Sequence, residues 1–185
     1  MASRLRFALA QLGAKRGAGA ELQQLLDADD LPGTGWRRLD QRSWRTGNVA
    51  DPQPWQAAAH AARSITVWRS FSAGPRGLWL QWAPLLTPAD AELAMAHATQ
   101  LGTGLRNLRG KVQLTARRDL DPAPGVAGAR LVSATEEDTS AWSPVLTLRC
   151  VAGAALLVLC ASGPGWSWPD VVSVAERQLA RLGQG

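Results

Sequence analysis

Few side chains in this sequence have the types and spacing that chemistry requires. Cys150 and Cys160 are its two cysteines, so neither a disulfide scaffold nor a multi-cysteine zinc site can be assembled. His60 and His97 are the two histidines, both on alanine-rich stretches that read as helix. With Asp90, Glu92 or a cysteine they could in principle ligate a metal. Neither has a ligand-type residue four positions on, however, and no His-Glu-x-x-His pattern occurs. The plainer reading is a pair of boundary histidines, and no metal or cofactor is assigned. Serines abound without a Gly-x-Ser-x-Gly elbow. Gly33-Thr34-Gly35 and Gly102-Thr103-Gly104 are too short for phosphate loops and do not lie between a strand and a helix. No grouping supplies nucleophile, base and orienter together, so catalysis is not expected.

Nine tryptophans with no tyrosine are the most unusual feature. Trp36, Trp44, Trp68, Trp79 and Trp82 are interleaved with Arg37, Arg38, Arg42, Arg45, Arg69 and Arg76. On a sheet, Arg37, Arg38, Trp44, Arg45, Trp68 and Arg69 would stack bases and hold phosphates. The competing reading places the indoles in core and boundary, with arginine stems covering their edges. A formal charge of +5, carried by arginine apart from Lys15 and Lys111, permits a phosphate or acidic-lipid partner without demanding one. The same arginine bias, with abundant alanine, is what a GC-rich genome produces. No glycine-aromatic RNA-binding signature accompanies it. Trp166 and Trp168 lie in a loop bounded by Gly163-Pro164-Gly165, where two indoles are hard to bury together. At least one is expected to be exposed and to meet a protein partner or a second copy. Glu136-Glu137-Asp138 reads as an acidic turn, solvated or facing a basic partner.

The elements that must position these residues follow from periodicity. A length of 185 residues and an apolar fraction of 46% fit one globular domain that buries roughly 70% of its unfolded surface. The apolar run from Val151 to Ala161 is far below the roughly 20 residues of a membrane helix. Leu5, Ala8, Leu9 and Leu12 make a short basic amphipathic helix, which Gly13, Gly17 and Gly19 then weaken. Residues 1–28 are read as a peripheral helical arm, and 29–185 as the domain. A strand over Trp36–Trp44 and a helix over Trp55–Arg63 follow. Ile65–Phe71 and Leu78–Trp82 form a hairpin about the five-residue turn Ala73–Gly77. Thr87-Pro88-Ala89-Asp90 starts a helix that ends near Gly102. Strands are expected over Lys111–Arg117 and Ala129–Ala134. Val145–Cys150 and Ala155–Cys160 form a second hairpin, and a final helix begins at Pro169. A two-residue turn at Ala152-Gly153 would pair Cys150 with Ala155 and Cys160 with Val145. The thiols would then face opposite sides of the sheet, unbonded. Helices between antiparallel strands mean α+β rather than a parallel nucleotide-binding sheet.

Leu25-Leu26 with Asp30-Leu31-Pro32-Gly33 and Trp36 resembles the opening of small actinobacterial exported domains, the LpqN-type lipoproteins and the sensor domains of PknH-type kinases. The end is similar too: a hairpin turning at Gly153, a Gly-Pro pair, and a helix closing on Gln178-Leu179-Ala180-Arg181-Leu182. The resemblance covers about Leu22 to Leu182 and implies a PsbP-like α/β/α sandwich that binds rather than catalyses. It carries over no active-site residue. Those relatives are exported or tethered, whereas this sequence shows neither a signal peptide nor a lipid-attachment cysteine and is expected in the cytoplasm. The kinase sensor domains also carry disulfides. The expected function is a non-enzymatic binding domain, for a protein partner or for a hydrophobic ligand between sheet and helices. Nucleic-acid association through the Arg/Trp strands is the alternative.

Overall fold

A computed structural model describes residues 19–101, 114–139 and 144–183. The elements are α1 (Gly19–Gln23), β1 (Arg37–Arg45), α2 (Pro54–Ala61), β2 (Ile65–Ala73), β3 (Arg76–Pro84), α3 (Pro88–Leu101), β4 (Leu114–Asp119), β5 (Leu131–Thr139), β6 (Val145–Ala152), β7 (Ala155–Ser162) and α4 (Trp168–Leu182). A one-turn 3-10 helix at Ala28–Asp30 follows α1. The strands form one antiparallel sheet in the order β1-β2-β3-β7-β6-β5-β4. The α+β class inferred from the sequence is the observed one.

Strand chemistry explains the order. All but the last residue of β6 and of β7 are buried. These almost wholly buried strands occupy the interior of the sheet and are covered on both sides. Leu146, Leu148 and Cys150 face α4 with Leu157, Leu159 and Ala161, forming the main core with Val171, Val174, Ala175 and Leu179. The opposite parity places Leu156 and Val158 against Ala59 of α2 and Ala94 of α3 in a smaller cluster. Helices on both faces thus make three layers. β1 is mostly exposed and rich in arginine, and its register slips between Arg38 and Asp40. Charge and a bulge both protect an edge strand from pairing with another chain.

Turn chemistry sets the registers: the first hairpin is tighter than expected, and the second keeps a two-residue turn placed one residue later. Ala73 pairs with Arg76, leaving only Gly74-Pro75 as the turn, with Gly74 at φ +58°. Ala152 pairs with Ala155 across Gly153-Ala154, with Gly153 at φ +55°. In both, the positive φ falls on the first loop residue, where glycine alone is unstrained. The second register therefore moves by two residues, pairing Cys150 with Leu157 and Cys160 with Thr147. An even shift preserves parity, so the cysteines still face opposite sides, and both are free and buried.

Two further expectations change. Glu136, Glu137 and Asp138 are not a turn but lie within β5, paired with Arg118, Arg117 and Ala116 of β4. Cross-strand opposition of charges stabilises what isolated acidic residues would not. The boundary at residue 28 runs through the core rather than beside it, because Leu25, Leu26 and Leu31 are core residues. The predicted helix over Leu5 to Leu12 lies outside the described residues.

Candidate functional site

The N-terminal segment is held by side chains distant in sequence. Leu26 N–H donates to Gln178 Oε1 at 2.9 Å, and Gln178 Nε2 donates to Gln24 O at 2.9 Å. Arg69 Nη1 donates to the carbonyls of Leu25 and Leu26 at 2.8 and 2.9 Å. Arg177 reaches Asp30 O, Arg181 pairs with Asp30, and Arg38 pairs with Asp27. This reassigns two residues of the nucleic-acid reading. Arg69 is 6% exposed, its guanidinium pKa lowered by burial, and its donors face backbone carbonyls rather than solvent. Arg38 is neutralised at the surface. Arg37 is exposed, bonded to Ser72, while Trp44 and Arg45 are half-buried on β1. Trp68 sits edge-on to Trp79 with ring centroids 6.3 Å apart, under Arg42 at 5.7 Å. Half of the proposed phosphate contacts therefore have other partners.

Of the two indoles in the Gly-Pro-Gly loop, of which the sequence led us to expect at least one exposed, one is buried and the other half-buried. Trp166 is 8% exposed and packs in the main core. Trp168 is half-buried, and its Nε1–H donates to Glu136 Oε1 at 2.7 Å. That bond comes first among the causes holding the Glu136 carboxyl below its usual range, followed in the same direction by Arg118. The loop turns inward because Ser167 and Asp170 cap α4, with Ser167 Oγ donating to Asp170 Oδ2 at 2.7 Å. The helix start thereby draws both rings onto the sheet. Trp166 lies 5.6 Å from Trp36, and the Arg76 guanidinium stacks over both indoles, 4.4 Å from Trp166 and 5.2 Å from Trp36.

On the α3 side of the sheet, charge is buried where sequence reasoning placed none. Arg149 is 1% and Glu137 2% exposed, beside Thr135 and Thr147. Burial lowers the Arg149 pKa, while Glu137 opposes that shift. Glu137 Oε1 has no hydrogen-bond partner. The signal was legible: Arg149 interrupts the otherwise apolar or hydroxylated β6 at a buried parity. Neither histidine joins a metal-ligating group among the described residues. His97 packs edge-on to Trp55 at 6.0 Å, and His60 Nδ1 is buried without a partner.

The feature with the shape of a ligand site is a groove of about 670 Å³ beside the C-terminal turns of α4. Trp82, Ala152, Leu179 and Leu182 give it apolar walls, and Gly128 forms part of its rim. Glu176 at its border accepts from Ala127 N–H at 2.9 Å, which fixes the 127–128 loop as one wall. Ligand sites of small molecules commonly enclose about 300–1,000 Å³ with mostly apolar lining. The sequence reading anticipated a cleft between sheet and helices but named none of these residues. Its walls come from β3, β6 and α4, which sequence order does not bring together.

No family model matches the chain, and no curated protein resembles it in sequence. Its fold is nonetheless a known one. The extracellular domain of PknH from Mycobacterium tuberculosis superposes with a TM-score of 0.56 at 10% identity, covering 88% of this chain and 94% of that one. The likeness lies in the fold, which among the described residues is a single seven-stranded antiparallel sheet layered with four α-helices.

Proposed function

We propose that the chain is a non-catalytic binding domain that takes a small apolar ligand, such as an acyl chain, in the groove between α4 and the ends of β3 and β6. The observation that carries this reading is the groove itself: about 670 Å³, open to solvent, with Trp82, Leu179 and Leu182 as walls. Exposed apolar surface of this kind is costly to leave wet, and covering it drives association. The fold is compatible with this reading, its neighbour being described as the extracellular domain of PknH.

Ala180 gives a direct test, because it borders the groove and is exposed. Phenylalanine there fills the space without entering the core. Binding of anilinonaphthalene sulfonate, followed by its fluorescence, and its displacement by lauric acid should both be lost in Ala180→Phe at unchanged thermal midpoint. Equal binding and displacement in the parent and the variant would place the apolar ligand elsewhere or nowhere.

A further inference from the structure

Arg76 is held differently from the seven arginines that pair with carboxylates. Arg38, Arg42, Arg69, Arg117, Arg118, Arg130 and Arg181 each lie against a carboxylate. Among the described residues no carboxylate pairs with Arg76, and its Nε–H is buried without an acceptor. Its orientation comes from two indoles instead, Trp166 at 4.4 Å and Trp36 at 5.2 Å. Stacking fixes a guanidinium plane without neutralising its charge. A second donor is stranded in the same cluster: Trp166 is 8% exposed, and its Nε1–H has no acceptor. Trp36 is not short of one, since its Nε1–H donates to Pro32 O at 2.9 Å.

The surrounding backbone keeps this cluster free of further side chains. Gly163 is at φ +89°, and a Cβ there would stand 2.2 Å from Pro75 O, so the 163–165 loop meets the β2–β3 turn backbone to backbone. Gly33, at φ +86°, would bring a Cβ to 3.8 Å from Arg76 Nη1. Two loops place a glycine beside this half-buried residue, Gly33 at its Nη1 and Gly163 at its Cα. Buried donors without acceptors weaken a fold, and since Arg76 as a whole is only half-buried, the part of its guanidinium away from the buried Nε is what an outside acceptor can meet.

We infer that Arg76, clamped between Trp36 and Trp166, is a recognition site for a carboxylate, borne by an acidic side chain or a chain end of a protein partner. A planar carboxylate matches the two parallel N–H groups of a guanidinium, and apolar indole walls suit a single negative charge. Phosphate recognition uses clusters of arginines, whereas here one guanidinium stands alone between aromatics. A fixed cation flanked by tryptophans is also the composition of an interface hot spot. This site is independent of the apolar groove, which shares none of these residues.

The test follows the two stranded donors by ¹⁵N-correlated NMR, with resonances assigned through Trp166→Phe and Arg76→Lys. N-acetylleucine should shift the Trp166 Nε1–H and Arg76 Nε–H signals saturably, whereas N-acetylleucinamide and inorganic phosphate should not. Arg76→Gln should weaken N-acetylleucine at least tenfold. Arg76→Lys keeps a cation and a stem over the indoles but loses the fork, so it should also bind more weakly even if the glutamine variant fails to fold. Unmoved signals, equal response to the amide, or undiminished binding by the lysine variant would overturn the site. A shift with phosphate alone would overturn its assignment to carboxylate.

Discussion

Gln178→Ala should destabilise the chain out of proportion to the size of the change. Gln178 is fully buried on α4, with both amide atoms bonded to the backbone of Gln24 and Leu26 at 2.9 Å. Alanine leaves Leu26 N–H and Gln24 C=O without these partners, at about 1–3 kcal/mol for each group that stays dry. The emptied volume adds a smaller cavity cost, so a total of about 3–5 kcal/mol is expected. For a chain of this size, each kcal/mol lowers the thermal midpoint by roughly 2–4 °C, so a fall of about 6–20 °C is expected. Arg181→Ala is the control, since its ion pair with Asp30 is partly exposed and worth at most about 1 kcal/mol. Urea titrations read the stability, and hydrogen exchange reads the amides of residues 24–31 directly. A loss below about 1 kcal/mol, with the Leu25 and Leu26 amides as protected as in the parent, would refute the idea that Gln178 fastens this segment.

Gly163→Ala should cost far more than Gly153→Ala: both have positive φ, but only the former drives a Cβ to 2.2 Å from a carbonyl oxygen, and comparative thermal melts will rank them. The thiols of Cys150 and Cys160 are pushed by burial to about 12 and about 11, so native protein at pH 8 should resist iodoacetamide and react once unfolded in guanidinium. The same shifts favour the folded state fully below the unfolded thiol pKa of about 8.5, and the advantage is lost as pH rises towards 11–12. Replacing both cysteines with valine should therefore flatten the alkaline limb of the stability curve above pH 9. Trp168→Phe removes the leading cause of the depressed Glu136 pKa, and carbon-detected NMR should show that carboxyl titrating at higher pH. A carboxylate of this kind helps the fold above its unfolded pKa and stops helping as pH falls through the folded one, so the variant should also respond less to acid.

The layers were legible in the sequence because they rest on short-range rules. Glycine between two β-rich runs announced both hairpins, and Thr87 with Asp90, and Pro169, marked helix starts. Where expectation failed, a distant partner decided. Glu136 to Asp138 read as a turn by composition, but β4 places Arg117 and Arg118 opposite them. At least one of Trp166 and Trp168 read as exposed because two indoles are hard to bury together in a loop bounded by glycine. The acceptor at Glu136 and the stacking partners Trp36 and Arg76 are 32 or more residues away. Leu25 and Leu26 read as part of an arm, since nothing near them in sequence announces Gln178 and Arg69 as anchors.

The charge of the chain takes a different meaning once its arginines are placed. A formal excess of +5 invited a phosphate partner, yet much of that charge is committed inside the fold. Arg69, Arg177 and Arg181 bond backbone carbonyls of the 23–31 segment, which arrives without enough local structure to satisfy them itself. Arg117 and Arg118 bond Asp119 and Glu136, holding the edge strand β4 and its neighbour. Arginine suits this work because its fork spans several acceptors while its stem covers apolar surface. Arg76 instead lays its guanidinium over two indoles, and among the described residues its Nε–H finds no acceptor, so this cation is oriented by aromatic rings rather than by an anion. A partner drawn to this chain by charge would thus be selected by one oriented guanidinium rather than by a diffuse basic surface, and raising salt should weaken it only modestly.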